Sequence, residues 1–344
     1  MKIKITDFGP IKEFEFDLNK SFIGIFGKNN TGKSYAISAT YLILKQLLDI
    51  NSMEITTSME LLIKEIISKH KKNQEEFLSL EQNENNITKK FESFFKNMFL
   101  KNFTEKLTDS FYSTFGDLEK LKNKFSKNYP KIILNFDSLE AAFIIEKEIL
   151  IDKVILKREI IVKNTALNEN SGTSKDKITL CLAINNNNSF HIAGGLHLIM
   201  GCLSLFEEIR EAVTNVYYMP ASRTGLYQAL SSYSEIFAEL SKQRRHIAKK
   251  FEIPRLSEPV SDYFMHLSGT YANRKLGIRQ AELYKSREDI DLEIIKGKVS
   301  FDDKDKRIYY SPDNSDITIE ISTASSMVSE LAPYSFIFKT YNTL

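Results

Sequence analysis

From Gly27 to Ser34 the chain reads Gly-Lys-Asn-Asn-Thr-Gly-Lys-Ser. This is the G-x-x-x-x-G-K-[ST] spacing, and its residue types suit the binding of a polyanion. Gly27 and Gly32 let the backbone bend tightly, so that successive N–H groups point at one anion. Between them lie Asn29, Asn30 and Thr31. Lys33 would reach the β- and γ-phosphates of a nucleotide, and the Ser34 hydroxyl would ligate Mg²⁺. A helix beginning near Lys33 would add its positive dipole end and its unpaired amides.

Two flanking elements must position this loop. Phe22-Ile23-Gly24-Ile25-Phe26 precedes Gly27 as an apolar run without alternation, which predicts a strand buried on both faces. After Ser34 the period changes. Ile37, Tyr41, Leu44 and Leu48 recur at helical spacing. Strand, glycine-bounded loop and helix form the context that makes the motif a phosphate loop, and the expected fold class is α/β.

Further elements follow along the chain. Lys2–Leu18 reads as two strands around a Gly9-Pro10 turn. Phe8 or Phe14 could stack on adenine, with core packing as the competing reading. Residues 51–130 change character. Met59, Leu62, Ile63, Ile66 and Ile67 form one helical stripe. Ile87, Phe91, Phe94, Phe95, Met98 and Phe99 form a second, and Leu118, Leu121 and Phe125 continue it. No heptad persists, so a helical insertion is expected rather than a coiled coil.

The expected domain plan is therefore 1–50 with the loop, 51–130 as insertion, and 131–344 as the remainder of the same head. Strands are predicted at Lys131–Phe136, Phe143–Ile145, Val154–Val162, Ile178–Ile184 and Phe190–Ile192. A helix from Gly194 to about Val213 and a short strand Val216–Met219 come next. The last third carries strands at Leu292–Ile295, Val299–Phe301, Ile308–Tyr310 and Ile317–Ile321. A final helix follows through Met327, Val328, Leu331, Tyr334 and Phe338, with Ser325 or Ser326 as N-cap. The start of that helix is a second potential anion site.

Three further features bear on chemistry. Arg223, in the turn Pro220–Gly225 after a predicted strand, could meet a phosphate or a partner subunit, or be a plain surface arginine. Lys242, Arg244, Arg245, Lys249 and Lys250 share one face of a helix, which could touch nucleic acid or simply be solvated. Ile132–Phe136 closes on Asp137 and offers a rival Mg²⁺ carboxylate, although Asn135 interrupts the run and no second acid adjoins it.

Composition narrows the class. The chain has 344 residues, 42% hydrophobic and 27% charged, as in ordinary globular proteins. A net charge of +2 makes no global case for nucleic acid or membrane partners. Cys181 and Cys202 are the only two cysteines and lack metal-ligand spacing. No secretory leader or membrane-length apolar run is expected, and the reading is cytoplasmic.

The loop form Gly27-x-Asn29-Asn30-Thr31-Gly32-Lys33-Ser34 resembles that of ABC-like P-loop ATPases of the OLD and SMC/RecF group. That group includes bacterial AAA-labelled ATPases linked to phage defence. Asn30 stands where most SMC-type loops have glycine, a mild departure because asparagine tolerates a left-handed backbone. Tyr218–Leu226 resembles the group's proline-alanine-arginine turn, and Ala324–Leu331 its signature helix.

The resemblance implies an ABC/SMC-like head with an N-terminal antiparallel subsheet. It implies ATP and Mg²⁺ as cofactors and a homodimer or higher oligomer with ATP sandwiched between heads. It also implies Ser325 and Ser326 as contacts to the nucleotide of the opposite head, and Arg223 near the nucleotide or interface. A possible effector or nuclease subunit, and a role in DNA metabolism or antiviral defence, come with it. In that group an acid-terminated Walker B strand follows the signature helix. None follows here before Leu344, so weak hydrolysis by this chain alone is expected. The alternative expectation is a non-catalytic nucleotide-sensing scaffold that binds a protein or nucleic acid.

Overall fold

The structure, a computed structural model, describes residues 1–50, 57–62, 64–65, 85–165, 177–184, 190–192, 213, 215–221, 225–226, 256–267, 289–302 and 307–339. It is a mixed α/β chain in two units, Met1–Val216 and Tyr217–Leu344.

The alternation in the first seventeen residues becomes an antiparallel hairpin. Strand β1 (Lys2–Phe8) pairs with β2 (Ile11–Asp17), Ile3 opposite Phe16 and Ile5 opposite Phe14. Ile3, Ile5 and Phe8 are fully buried, while Lys2 and Lys4 face outward and meet Glu15 and Glu13 at 2.9 and 2.8 Å. Hydrogen bonds to those carboxylates raise both lysine pKa values. At this exposure the pairs add little stability.

Helix α1 (Lys33–Leu48) follows the phosphate-loop motif. It is buried nearly all round, including Ala39, Tyr41, Leu42, Ile43 and Leu47, whereas Ile37 faces solvent. After the short strand β3 (Asn85–Asn86) come α2 (Thr88–Phe99) and α3 (Glu105–Phe115), joined by a π-turn at Leu100–Thr104. Thr104 and Thr108 donate their hydroxyls to the carbonyls four residues back, competing with the helical ladder there.

Strands β4 (Lys131–Asn135), β5 (Leu139–Ile145) and β6 (Ile149–Leu156) complete a five-stranded antiparallel sheet in the order β2-β1-β4-β5-β6. The helices cover it with phenylalanine. Phe99 and Phe103 meet Phe143 of β5 at 5.7 and 5.3 Å between ring centres. Phe111 and Phe115 meet Phe8 of β1 at 5.8 and 5.2 Å. Strands β7 (Glu159–Thr165), β8 (Lys177–Ile184) and β9 (Phe190–Ile192) join β3 in a four-stranded sheet, with β7 and β8 parallel.

The second unit contains α4 (Glu258–Leu267), a three-stranded antiparallel sheet of β10 (Gly297–Asp302), β11 (Arg307–Pro312) and β12 (Ile319–Glu320), and α5 (Ser326–Lys339). Tyr263, Ile295, Val299, Ile308, Tyr310, Ile321, Val328 and Ala332 form its core. The Tyr310 hydroxyl donates to the Ile295 carbonyl at 2.7 Å, and burial raises its pKa.

Several sequence expectations are corrected. Phe22–Phe26 is not a strand. It has no strand partner among the described residues, and Phe22 and Phe26 are 85% and 91% exposed. An apolar run signals desolvation but cannot supply its own neighbours. Leu292–Ile295 lies in a π-turn, Ile290–Ile295, because its apolar residues suit either backbone. Val154–Val162 divides into β6 and β7, and Ile317–Ile321 yields only two strand residues before a 3₁₀ turn. Val216–Met219 has no regular structure. Phe125 is fully exposed in a turn instead of extending the stripe through Leu118 and Leu121. The helix expected at 194–213, apart from Val213, and the one at 236–251 lie outside the described residues, as do Lys242–Lys250. Among the described residues, no helix is long and apolar enough to cross a membrane.

Two outcomes follow. Phe143→Ala should destabilise the first unit by about 3–5 kcal/mol in urea titration, since it opens a cavity under two rings. For the second unit, an unfolded tyrosine ionises near its ordinary value of 10.0, while burial pushes folded Tyr310 above it. Its contribution is therefore complete below that value and is lost as pH rises toward the folded pKa. Alkaline melts should show this loss in the wild type and lack that component in Tyr310→Phe.

Candidate functional site

The loop between Phe26 and α1 adopts the backbone its glycines and asparagine allow. Gly32 has φ +92° and Asn30 has φ +63°, both in the left-handed region. A β-carbon on Gly32 would lie 2.7 Å from Ile11 Cγ1 and 2.9 Å from Pro10 Cγ. The β1–β2 turn is thus pressed against the loop where α1 begins.

That turn is itself anchored. The Gly9 N–H donates to the Leu121 carbonyl at 2.5 Å, and the Asn123 N–H to the Asp7 carbonyl at 3.0 Å. Asn123 Nδ2 reaches the Ile11 carbonyl at 3.3 Å. The segment after α3 therefore clamps the turn, and the turn backs the loop.

Within the loop, the Thr31 hydroxyl donates to the Lys28 carbonyl at 2.8 Å. Lys33 Nζ donates to the Gly27 and Lys28 carbonyls at 2.7 and 2.6 Å. The ammonium thus lies over the curled loop. Ser34 is exposed, and no side chain caps α1, whose N-cap is Gly32. The first amides of that helix have no intrahelical acceptor.

Pro10, Asn29, Asn30, Gly32, Lys33, Ser34 and Tyr35 line one cavity of about 720 Å³. This lies within the roughly 300–1,000 Å³ range of small-molecule sites. Its donors are an ammonium, hydroxyls, amides and backbone N–H groups, a set that matches phosphate oxygens. None of these lining residues is acidic. Among the described residues, no group of three or more His, Cys, Asp or Glu side chains could hold a metal ion.

The structure thus brings Asn29, Asn30, Gly32, Lys33 and Ser34 together, with Gly27 and Thr31 shaping the curl. Phe8 belongs to the core, fully buried among Tyr35, Phe111 and Phe115. Asp137 is removed from the rivalry for Mg²⁺. Lys2 pairs with Asn135, so Asp137 follows the end of β4 remote from the Gly9-Pro10 turn. Seven residues of β1 separate those ends by roughly 20 Å. At that remote end, Lys157 Nζ donates to Asn135 Oδ1 at 2.6 Å and to the Phe136 carbonyl.

Ser325 and Ser326 belong to the second unit, at the start of α5. The Ser325 hydroxyl accepts the Val328 N–H at 3.4 Å as an N-cap, and the Ser326 carbonyl accepts the Ser329 hydroxyl at 3.0 Å. Both serines are exposed. Arg223 lies outside the described residues. Pro10 and Tyr35 are the cavity residues that motif reading passes over. The available signals were a proline in the first turn and an aromatic directly after Ser34.

Compared with known proteins, the chain matches no family model and no curated protein.

Loop substitutions should separate by backbone demand. Gly32→Ala should cost about 1–2 kcal/mol in thermal unfolding, from its left-handed φ and the Ile11 contact. Asn30→Gly should be tolerated, and Asn30→Val should cost about as much as Gly32→Ala.

Proposed function

We propose that this chain is an ATP-binding head of the ABC/SMC-like P-loop type. The observation that carries this reading is the cavity built on Asn30, Gly32, Lys33 and Ser34 beside the uncapped start of α1. In this reading Lys33 exchanges its two loop carbonyls for phosphate oxygens, a charge-assisted and therefore stronger partnership. The amides at the start of α1 hold the same anion. The Ser34 hydroxyl is the protein ligand for Mg²⁺, with phosphates and water completing the coordination. The metal neutralises phosphate charge when bound. Thr31 and Gly27 keep the loop curled.

Among the described residues that line the cavity there is no carboxylate to orient water or support Mg²⁺. This chain is therefore proposed to hold Mg·ATP and to turn it over slowly by itself. The resemblance of Ala324–Leu331 to a signature helix supports Ser325 and Ser326 as contacts to the nucleotide of a second head. ATP would then hold two copies together. Service in DNA metabolism or phage defence, with an effector or nuclease partner, is proposed on the same resemblance.

The acid-free lining also favours a second reading, a nucleotide-sensing scaffold in which occupancy alone sets the state. Titration calorimetry should find Mg·ATP binding that Lys33→Ala weakens at least tenfold. Light scattering should find ATP-dependent dimers that Ser325→Arg with Ser326→Arg abolishes. Binding without dimers favours the scaffold. Fast steady-state hydrolysis that Lys33→Ala abolishes would overturn the slow-turnover claim.

A further inference from the structure

Between β2 and the phosphate loop, residues 21–26 take part in no hydrogen bond among the described residues. They nevertheless alternate as an extended strand does. Phe22, Gly24 and Phe26 are exposed, whereas Ile23 and Ile25 are half-buried. A β-carbon on Gly24 would lie 2.7 Å from Cε2 of Phe26 and 3.6 Å from Cε1 of Phe22, so both rings stand over the glycine on one face. The segment has the shape of a strand, with its pairing groups open and its aromatic face turned to solvent.

Natural strand edges carry protection: a lysine or proline within the strand, or a bulge. Residues 22–26 include neither a charge nor a proline. The charges stand just outside. Lys20 and Lys28, each two residues beyond a phenylalanine, are exposed and have no acidic partner among the described residues. The lysines of β1 differ: Lys2 and Lys4 meet Glu15 and Glu13 across the hairpin.

The order Phe-Ile-Gly-Ile-Phe reads the same in both directions, so a second copy could match it antiparallel about Gly24. That register would set Lys20 opposite Lys28, and a parallel one would set each lysine opposite itself. Like charges directly opposite one another are destabilising. The lysines thus act against self-pairing and favour a strand with acidic ends.

We infer that residues 20–28 form a strand-accepting edge for another polypeptide, which docks an extended segment with alternate apolar side chains and an acid at either end. Main-chain hydrogen bonds supply the attachment, and the phenylalanine face takes the apolar residues. Lys20 and Lys28 hold the acidic ends. Docking here needs no nucleotide, so this surface is separate from the site proposed above.

Labelled synthetic peptides on the full, nucleotide-free chain test this by fluorescence anisotropy. The parent peptide, Glu-Thr-Val-Thr-Val-Thr-Val-Thr-Glu, should bind at low salt and weaken as salt rises. The same peptide with lysine at both ends should bind about tenfold more weakly, the scale of two cross-strand pairs turned from opposite to like charge. Proline at two adjacent central positions should abolish binding, since it removes a ladder donor on either side of the peptide. Lys20→Glu with Lys28→Glu should reverse the order of the acid-ended and lysine-ended peptides. Phe22→Ser with Phe26→Ser, at exposed positions, should weaken the parent peptide at least tenfold and leave circular dichroism unchanged.

Equal binding of the acid-ended and lysine-ended peptides would overturn the inference. So would a proline peptide that binds as well as the parent, or a parent peptide that does not bind. Nucleotide-free dimers in light scattering that Phe22→Ser with Phe26→Ser dissolves would assign the edge to a second copy and overturn it as well. None of these outcomes bears on the phosphate loop, because nucleotide enters no arm.

Discussion

The absence of a side chain at Gly32 is the constraint on which the first unit's site depends. Ile11 and Pro10 occupy the space a β-carbon would take, and the backbone there is left-handed. This close approach joins a local loop to a remote sheet. The loop's curl and the direction of α1 both start at that residue. Support runs from Leu121 and Asn123 to the β1–β2 turn, from the turn to Gly32, and from Gly32 to Lys33 and Ser34. The described part of the helical segment between α1 and β4 thus acts on the site through a turn.

Phenylalanine packing gives that chain of support its stiffness. Phe8 ends β1 and meets Tyr35, Phe111 and Phe115, so one ring ties the sheet to α1 and α3. Gln46 of α1 donates to Ser110 of α3 at 2.9 Å inside the same interior. Aromatic pairs set at steep angles have preferred geometry, which fixes element positions more tightly than aliphatic contact does. Tyr35 is therefore held at the cavity by the core behind it.

Phe22–Phe26 presents the opposite case. Its composition says that five consecutive residues avoid water, yet two phenylalanines there stand almost fully exposed. Hydrophobicity describes what a segment excludes; pairing depends on which other strands come alongside it. The same distinction explains Asp137. An apolar run closing on an acid looks alike in a parallel sheet and in an antiparallel one, and here β4 lies between β1 and β5 with its acidic end turned away from the loop.

Residues alone determined what local spacing can encode. Glycines five positions apart around Asn29, Asn30 and Thr31 define the loop, and a helix follows from Lys33 because the apolar period changes there. The alternation of Ile3 and Ile5 with lysines placed β1. The Ser325 cap was visible in its residue type. Tertiary structure alone decided which distant residues join the loop. Register between β1 and β2 put Pro10 against Gly32, and packing on Phe8 and Phe115 aimed Tyr35 at the cavity. It also decided that Leu292–Ile295 turns as a π-helix and that Phe125 leaves its stripe. The physical reason is range: backbone preference and side-chain period act over a few residues, whereas the rest of the cavity's lining comes from strand register and aromatic contact between residues far apart in the chain.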